Sequence, residues 1–340
     1  MSLFISNLKL GPNILAVSSL VILFFTLFFS CPVLATTVIS PLLELEADPG
    51  QTQPAVVKIY NETDQNLFLV PSIEKFKAGD EAGQPVYLPP EEKDEFLNWF
   101  NLSQDSILLK PKQAAIVPFT VVVPPQAIPG GYYAVIFWEN QVEPTQEKPA
   151  VTIKSKVGTL IFLKVKGELV EQGQLLEFKI QGDQNYFWHL PINFIIRFNN
   201  SGNIHLQPTG TIELKNWLGQ KEVLPVNKEL RNVLPQSTRR FEIIWGSPLV
   251  YPNIIQQFWG NLKEELNHFT FGRYSASLNL TYGSDSQQAV TQELSFWFIP
   301  VSSIIALIII FFVLIILIKI NSRVKKLKQE TKKLPNEKRK

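Results

Sequence analysis

Histidines, cysteines and paired carboxylates are the side chains that most often carry chemistry, and this sequence holds them in no recognisable pattern. Its only histidines, His189, His205 and His268, lack the paired spacing of metal ligands. The GxSxG motif, the Gly-rich phosphate loop and the DxDxDG calcium loop are absent from the sequence. Acidic clusters at residues 80–81 and 91–95 are expected to be solvated loops, with weak calcium binding as the alternative. No pair of carboxylates stands out as the acid and base of a glycosidase. We therefore predict a protein that is not an enzyme and binds no cofactor or metal.

Aromatic rings are the remaining candidates for binding, because they give flat apolar platforms for the C–H faces of sugars. Trp99, Tyr133 and Trp138 are such candidates in the first half of the chain. Tyr133 and Trp138 fall on opposite faces of one predicted strand, so at least one of them is expected in the core. Trp99 ends an acidic segment, residues 91–100, that is predicted to form a short helix. That helix either closes a β-sandwich or presents an aromatic patch.

Phe258 and Trp259 are the candidates in the second half of the chain. Apolar residues recur at helical spacing from Ile254 to Leu266, after an Asn253 that suits an N-cap. This amphipathic segment either plugs the open end of a sandwich or exposes its aromatic side chains to a partner.

Strands must position these side chains, because alternation with a period of two recurs along the chain. Residues 192–198 and 274–282 alternate between apolar and mostly polar side chains. Residues 132–138 and 159–165 are apolar on both faces, as strands covered on both sides are. With Pro, Gly, Asn and Asp between the runs, the sequence predicts an all-β fold of two tandem immunoglobulin-like β-sandwich domains.

The two predicted domains also repeat each other. An Asn turn with its strands at 59–71 matches 197–208, and a Pro turn at 109–111 matches 233–235. A Gly-x-Tyr strand at 130–134 matches 272–276. The first match aligns Asn61 with Asn199 and needs one inserted residue. We place the first domain at residues 36–170 and the second at residues 171–294.

Both ends of the chain carry apolar segments. Residues 1–35 are predicted to be a signal peptide, with lipid attachment at Cys31 as the alternative. Residues 296–318 carry no charge and are long enough to cross a bilayer. The tail, residues 319–340, holds ten Lys or Arg against two Glu, so it is expected in the cytoplasm. The chain is thus predicted to be a single-pass plasma-membrane protein with extracellular domains.

The exported part between these segments is acidic. It holds 21 Lys or Arg and 28 Asp or Glu, which gives a net charge of −7. Such a surface gives no electrostatic reason to expect a nucleic-acid partner. Cys31 is the sole cysteine and is lost with a cleaved signal peptide, so core burial must hold the domains without disulfides.

A further set of residues carries a family resemblance, which is concentrated in the first domain and thins in the second. The set comprises 48–51, Asn61, Gly83, Trp99, 108–111 and 123–133, then Asn199, 234–235 and 272–274. In these residues the chain resembles the WxL-interacting proteins, surface proteins of Gram-positive bacteria. The resemblance implies a peptidoglycan-binding first domain, a second domain that binds a partner or a host, one membrane helix and a basic cytoplasmic tail.

These observations predict a membrane-anchored, non-enzymatic surface protein whose partner is cell-wall peptidoglycan or another surface protein. The candidate binding residues are Trp99, Tyr133, Trp138, Phe258 and Trp259. The alternative is a membrane-tethered assembly or chaperone-like factor for exported proteins.

Overall fold

Residues 36–88, 95–141, 156–247, 250–268, 271–284 and 288–333 are described by the computed structural model. Outside this part lie the predicted signal peptide, the alternative lipid-attachment site at Cys31, and residues 334–340 of the tail. Within it, the chain forms two β-sandwiches in sequence order, followed by one long helix. The prediction of an all-β fold with Ig-like sandwiches and a C-terminal apolar helix is confirmed.

Two sheets form the first sandwich. Its strands are β1 (Thr36–Val38), β2 (Leu42–Ala47), β3 (Thr52–Asn61), β4 (Leu67–Ala78), β5 (Pro85–Tyr87), β6 (Phe100–Leu102), β7 (Ile107–Leu109), β8 (Ala114–Val122), β9 (Gly130–Gln141) and β10 (Lys156–Val165). One sheet has the order β1-β3-β8-β6, and the other has the order β2-β10-β9-β4-β5, with β7 paired to β4. The chain passes from one sheet to the other between β1 and β2. In the first sheet β1 is antiparallel to β3, and in the second sheet β2 is parallel to β10.

Alternating side chains explain how these strands close over a core. On β3 and β8, Val57, Ile59, Val117 and Phe119 are buried in one apolar cluster, while most of their neighbours in sequence are more exposed. By contrast, residues 133–138 of β9 are all buried, so both faces of that strand are covered. Something other than the first core must therefore cover the outer face of its sheet.

The second sandwich also has two sheets. Its strands are β11 (Gly173–Ile180), β12 (Tyr186–Phe187), β13 (Ile192–Asn200), β14 (Thr209–Asn216), β15 (Lys221–Val226), β16 (Ser237–Trp245), β17 (Gly272–Tyr282) and β18 (Gln288–Phe298). Their orders are β11-β13-β16 and β12-β18-β17-β14-β15. Large aromatic side chains, including Phe194, Phe198 and Trp245, fill the core between them. The predicted domain boundary after residue 170 falls between β10 and β11.

Two short helices are inserted into the sandwiches. A 3-10 helix, Glu95–Trp99, precedes β6, and an α-helix, Ile254–Asn267, lies between β16 and β17. The second of these is called the amphipathic helix below. The side chain of Asn253 caps it, as predicted, by accepting a hydrogen bond of 2.8 Å from the N–H of Gln256.

The C-terminal helix, Val301–Lys333, begins later than the sequence predicts. Phe296 and Phe298 are buried in the second sandwich as the last inward-facing residues of β18. The second domain therefore runs to Phe298 rather than ending at residue 294. The predicted start of the helix at Phe296 was wrong, because the apolar end of a buried strand leads directly into an apolar helix. The segment Val301–Gln329 is long and apolar enough to cross a membrane.

Candidate functional site

The aromatic candidates of the first domain are mostly buried. Trp138 is 1% exposed in the core, and Tyr133 is buried on the other face of β9. Neither ring offers a flat face to a sugar in this structure, and the ligand-binding role of these two residues stays a prediction. Trp99 is half-buried, with its ring centroid 4.8 Å from that of Tyr132. It packs beside the core at the end of the 3-10 helix.

The candidates on the amphipathic helix differ from each other in exposure. Phe258 is half-buried, whereas Trp259 is 61% exposed. The structure therefore does not bring the five aromatic candidates into one site. Only Trp259 among them presents a largely open ring.

The second domain covers the outer face of β9 around Tyr133. On that face Phe76, Tyr133 and Phe162 form an apolar cluster, against which Leu234 of the second domain packs. The ring centroid of Tyr133 lies 6.1 Å from that of Phe76 and 5.0 Å from that of Phe162. Packing between the domains, together with Tyr87 of β5, whose ring centroid lies 5.0 Å from that of Phe137, thus explains why β9 and β10 are apolar on both faces.

Tyr133 also makes the central polar contact between the domains. Its hydroxyl accepts a hydrogen bond of 2.8 Å from the main-chain N–H of His205 and lies 3.1 Å from Nδ1 of the same residue. Burial lowers the pKa of His205 and raises the pKa of Tyr133. The neutral imidazole that this favours accepts at Nδ1 from the hydroxyl, so the contact is satisfied on both sides. Beside it, the N–H of Gly131 donates to the carbonyl oxygen of Asn203 at 2.8 Å.

A second polar contact joins the loop between β4 and β5 to the second domain. The Glu81 carboxylate pairs with the Arg197 guanidinium through both oxygens, with Nε to Oε2 at 2.8 Å, and this hydrogen bonding lowers the pKa of Glu81. The Glu81 carbonyl oxygen accepts from the N–H of Arg240 at 2.7 Å. Gly83 has a φ of +81°, and a Cβ there would collide with the Arg239 guanidinium. A larger residue would be strained by this backbone conformation and would have to displace the Arg239 guanidinium, so the position favours glycine.

A groove runs along the junction beside β2, which is the edge strand of its sheet. The N–H of Lys166, which follows β10, donates to the carbonyl oxygen of Ala47 at 2.9 Å. The main-chain N–H and C=O groups of Ala47 and of every second residue before it are therefore directed toward β10. In a parallel pair the alternate residues point away, so the main-chain groups of Glu44 and Glu46 are directed to the open side. We call the space between this edge and residues 230–232 of the second domain the interdomain groove.

The interdomain groove has two parts, of about 710 and 300 Å³. Asn232 lines both of them. The larger part holds three carboxylates, of Glu44, Glu46 and Glu171, against the single ammonium of Lys164, so it attracts positive charge. The smaller part has a mostly apolar wall that includes Phe76 and Phe162.

Sequence reasoning missed this groove. The alternation of Leu and Glu in Leu42–Ala47 is typical of a half-exposed strand, and that signal was available. Its parallel pairing with β10 and the approach of the second domain are long-range features that no local pattern indicates.

The three histidines lie in separate places. Nδ1 of His189 is 3.6 Å from the Glu265 carboxylate, and Nδ1 of His268 is 3.0 Å from that of Glu222, whereas His205 lies between the domains. Across the described ranges, no group of three or more His, Cys, Asp or Glu side chains is arranged to hold a metal ion.

Comparison with known proteins gives a distant likeness of fold. No family profile and no curated protein matches the chain. The solved class 5 fimbriae chaperone CfaA is 13% identical, with a TM-score of 0.38, over 76% of this chain and 98% of that one. The CupB2 chaperone of Pseudomonas aeruginosa is 12% identical, with a TM-score of 0.33, over the same shares.

A third solved structure is the CsuC-CsuE chaperone-tip adhesion subunit pre-assembly complex of Acinetobacter baumannii Csu pili. It matches at 13% identity and a TM-score of 0.33, over 61% of this chain and 89% of that one. At such TM-scores these likenesses carry no argument about function. The resemblance to the WxL-interacting proteins stays a prediction.

Proposed function

We propose that the protein is a membrane-anchored, non-enzymatic binding protein that takes an extended segment of another exported protein into the interdomain groove. The segment adds as a strand to the open edge of β2. The observation that carries the proposal is the outer main-chain edge of β2, which pairs with no strand of the described residues and lies beside a groove walled by the second domain. Hydrogen bonds to such an edge supply affinity, and pockets for alternate side chains supply specificity.

The side chains along the groove favour one kind of segment. The carboxylates of Glu44, Glu46 and Glu171 suit a Lys or Arg on the bound strand. At the other end, Leu42 and Phe76 line the smaller, more apolar part and suit an apolar side chain. We therefore expect a segment that carries positive charge toward one end and apolar residues toward the other.

The C-terminal helix supports the membrane anchor. Its segment Val301–Gln329 has the length and composition to cross a bilayer, and the basic tail after it favours a cytoplasmic C-terminus. The partner is then an exported or surface protein, which fits either a surface receptor or a factor for assembling exported proteins.

Peptidoglycan is the less favoured ligand. Glycan binding draws on open aromatic faces, whereas Tyr133 and Trp138 are buried and Trp99 is half-buried. The interdomain groove offers a hydrogen-bonding edge and charged side chains instead.

Two substitutions at Glu44 test strand addition. Glu44→Pro removes an outward N–H and keeps the pairing with β10, whereas Glu44→Ala removes the carboxylate and keeps the N–H. A photo-crosslinking amino acid at position 44 of the full-length chain identifies the partner in cells. The same amino acid at Ile116, exposed on the other sheet, is the control. We expect a crosslinked protein from position 44 only, and binding of that purified protein about tenfold weaker to Glu44→Pro than to Glu44→Ala.

Equal binding by the two variants, with both folded by circular dichroism, would overturn strand addition. Equal crosslinking from positions 44 and 116 would overturn the choice of groove. Sedimentation of the full-length protein with cell-wall sacculi, lost after muramidase digestion, would support peptidoglycan as the ligand instead.

A further inference from the structure

Exposed tryptophans surround the start of the C-terminal helix. Of the seven tryptophans in the chain, Trp188, Trp217, Trp259 and Trp297 are between 46% and 61% exposed. Trp297 lies near the end of β18, and Trp188 follows β12, which pairs with that end. The indole N–H of Trp217 donates at 3.1 Å to the carbonyl oxygen of Phe271. Phe271 immediately precedes β17, whose first residue pairs with the last residue of β18. Three of the four therefore lie at the end of the sandwich from which the C-terminal helix leaves.

The fourth, Trp259, belongs to the amphipathic helix, which contacts the C-terminal helix. One side of the apolar stripe of the amphipathic helix is turned outward, where Ile255, Trp259 and Leu266 are 61–72% exposed, whereas Phe258 and Leu262 of the same stripe are half-buried. Glu264 and Glu265 are turned inward instead. A surface helix of a soluble domain buries its apolar stripe against the core, so this orientation calls for an apolar medium outside the domain.

Glu265 fixes the amphipathic helix to the C-terminal helix. Its carboxylate is fully buried and accepts hydrogen bonds from the N–H of Ser302 at 3.2 Å and from the N–H and hydroxyl of Ser303 at 2.7 Å each. Amides of a first helical turn have no partner within their own helix, and a carboxylate there is favoured by the helix dipole. On the other side, Glu264 accepts from the N–H and hydroxyl of Ser247, each at 3.0 Å. The outward apolar stripe is thus held beside the first turn of a helix long enough to cross a membrane.

We propose that this end of the second domain rests on the outer surface of the same bilayer that the C-terminal helix crosses, with lipid covering Ile255, Trp259 and Leu266. The inference rests on the proposed membrane anchor. The amphipathic helix that carries this patch contacts the first turn of the C-terminal helix, and tryptophan is favoured at the headgroup level because it joins an apolar body to an N–H donor. Amphipathic helices lie in this layer with their apolar face ~5–10 Å into the boundary between headgroups and acyl chains.

Nitroxide labels report which medium covers each position. In a Cys31→Ser background, the full-length protein carries one label at Trp259→Cys, at Ile116→Cys as the solvent control or at Ile310→Cys within the C-terminal helix as the lipid control. Each variant is placed in phosphatidylglycerol–phosphatidylethanolamine vesicles. Power saturation then measures collisions with oxygen, which concentrates in lipid, and with a water-soluble nickel chelate. We expect the ratio of oxygen to nickel accessibility at position 259 to exceed that at position 116 several-fold.

The other outcomes separate this inference from the proposed anchor. Nickel access at position 259 equal to that at position 116, with position 310 protected, would overturn the lipid contact and leave the anchor intact. Protection of position 259 from both reagents would overturn it in favour of a protein occupant, such as a second copy of the chain. Nickel access at position 310 would contradict the anchor itself. Ile255→Cys, which keeps Trp259, repeats the measurement one turn away.

Discussion

Asn61 and Asn200 hold the same turn in the two domains, between two strands that belong to different sheets, and both are fully buried. In each, Nδ2 donates to the carbonyl oxygen four residues on, at 2.8 Å, and to a carbonyl oxygen beside the Pro turn, at 2.9 Å from Asn61 and 2.8 Å from Asn200. Each Oδ1 accepts from the amide two residues on, at 2.9 Å. The domains are therefore structural repeats aligned on these residues. That alignment differs by one position from the match of Asn61 with Asn199 and needs no insertion in the turn.

The alignment leads to a prediction for Asn200→Ala. Removing the side chain takes away the partner of the Ile204 carbonyl oxygen and of the Gly202 amide, while the Val233 carbonyl oxygen keeps the N–H of Leu206 at 2.9 Å. Each unpaired buried group costs roughly 1–3 kcal/mol. We expect the free energy of unfolding of the second domain to fall by about 2–4 kcal/mol. Asn199→Ala is the matched control, because Asn199 is half-buried and its Nδ2 donates to Thr238 Oγ1 at 3.1 Å. Denaturant unfolding compares the two, and an equal loss in both would contradict the alignment.

The Glu81–Arg197 pair is expected to hold the β4–β5 loop on the second domain with modest energy. Both side chains are more than a third exposed, so solvent screening limits their coupling to about 1 kcal/mol, or about fivefold. Hydrogen exchange at the Arg240 amide, which donates to the Glu81 carbonyl oxygen, reports the opening of this contact. We expect about fivefold faster exchange in Glu81→Ala and no further acceleration in the double variant with Arg197→Ala. Unchanged exchange in either single variant would show that the ion pair does not hold the loop.

The contact between Tyr133 and His205 is expected to weaken in mild acid. Because burial lowers the pKa of His205 below its ordinary value of 6.5, the unfolded chain binds more protons than the folded one below that pH. The stability due to this contact is therefore present above about pH 6.5 and is lost as the pH falls further. Thermal unfolding between about pH 7.5 and pH 5.5 measures the loss.

The control for this pH dependence is His205→Asn, which keeps an acceptor near the Tyr133 hydroxyl and does not titrate. We expect a smaller fall in unfolding temperature in this variant. Carboxylates elsewhere contribute equally to both proteins, so parallel pH profiles would contradict the assignment to His205.

Trp138 is expected to matter for stability and not for binding. Its ring fills the core, and its indole N–H has no hydrogen-bond partner among the described residues. Trp138→Phe, which keeps an aromatic ring, should cost less than about 1.5 kcal/mol, whereas Trp138→Ala leaves a cavity and should cost about 3–5 kcal/mol. Calorimetry measures both. A sugar-binding role would instead be revealed by loss of sacculus binding in a stably folded Trp138→Phe protein.

The parts of the fold that the sequence predicts are those encoded by local pattern. Alternation on β13 and β17 identifies strands because each buries one face against a single core. The Asn253 cap and the apolar spacing after it identify the amphipathic helix within its observed bounds. The long apolar run after β18 predicts a membrane helix by composition alone.

The features that the sequence does not predict depend on contacts between distant segments. Burial of Tyr133 requires the second domain, since its own strand gives no indication of what lies above it. The end of β18 cannot be separated by hydropathy from the helix that follows, because Phe296 and Phe298 are as apolar as the helix. The open edge of β2 depends on pairing with β10, more than a hundred residues away. Helical spacing shows that the amphipathic helix has an apolar side, but not that this side faces outward.

The short junction between β18 and the C-terminal helix affects which partners can reach the interdomain groove. Only Ile299 and Pro300 separate the two elements, and the Glu265 carboxylate accepts hydrogen bonds from the first turn of the helix, which limits rotation of the second domain about the helix. In a membrane, the interdomain groove would then stay at one height above the lipid surface. A partner tethered to the same membrane would then meet the groove at an effective concentration set by the partner's own linker, maximal when that linker's reach matches the height. Partners with linkers too short to span that height would be excluded however well their sequences fit.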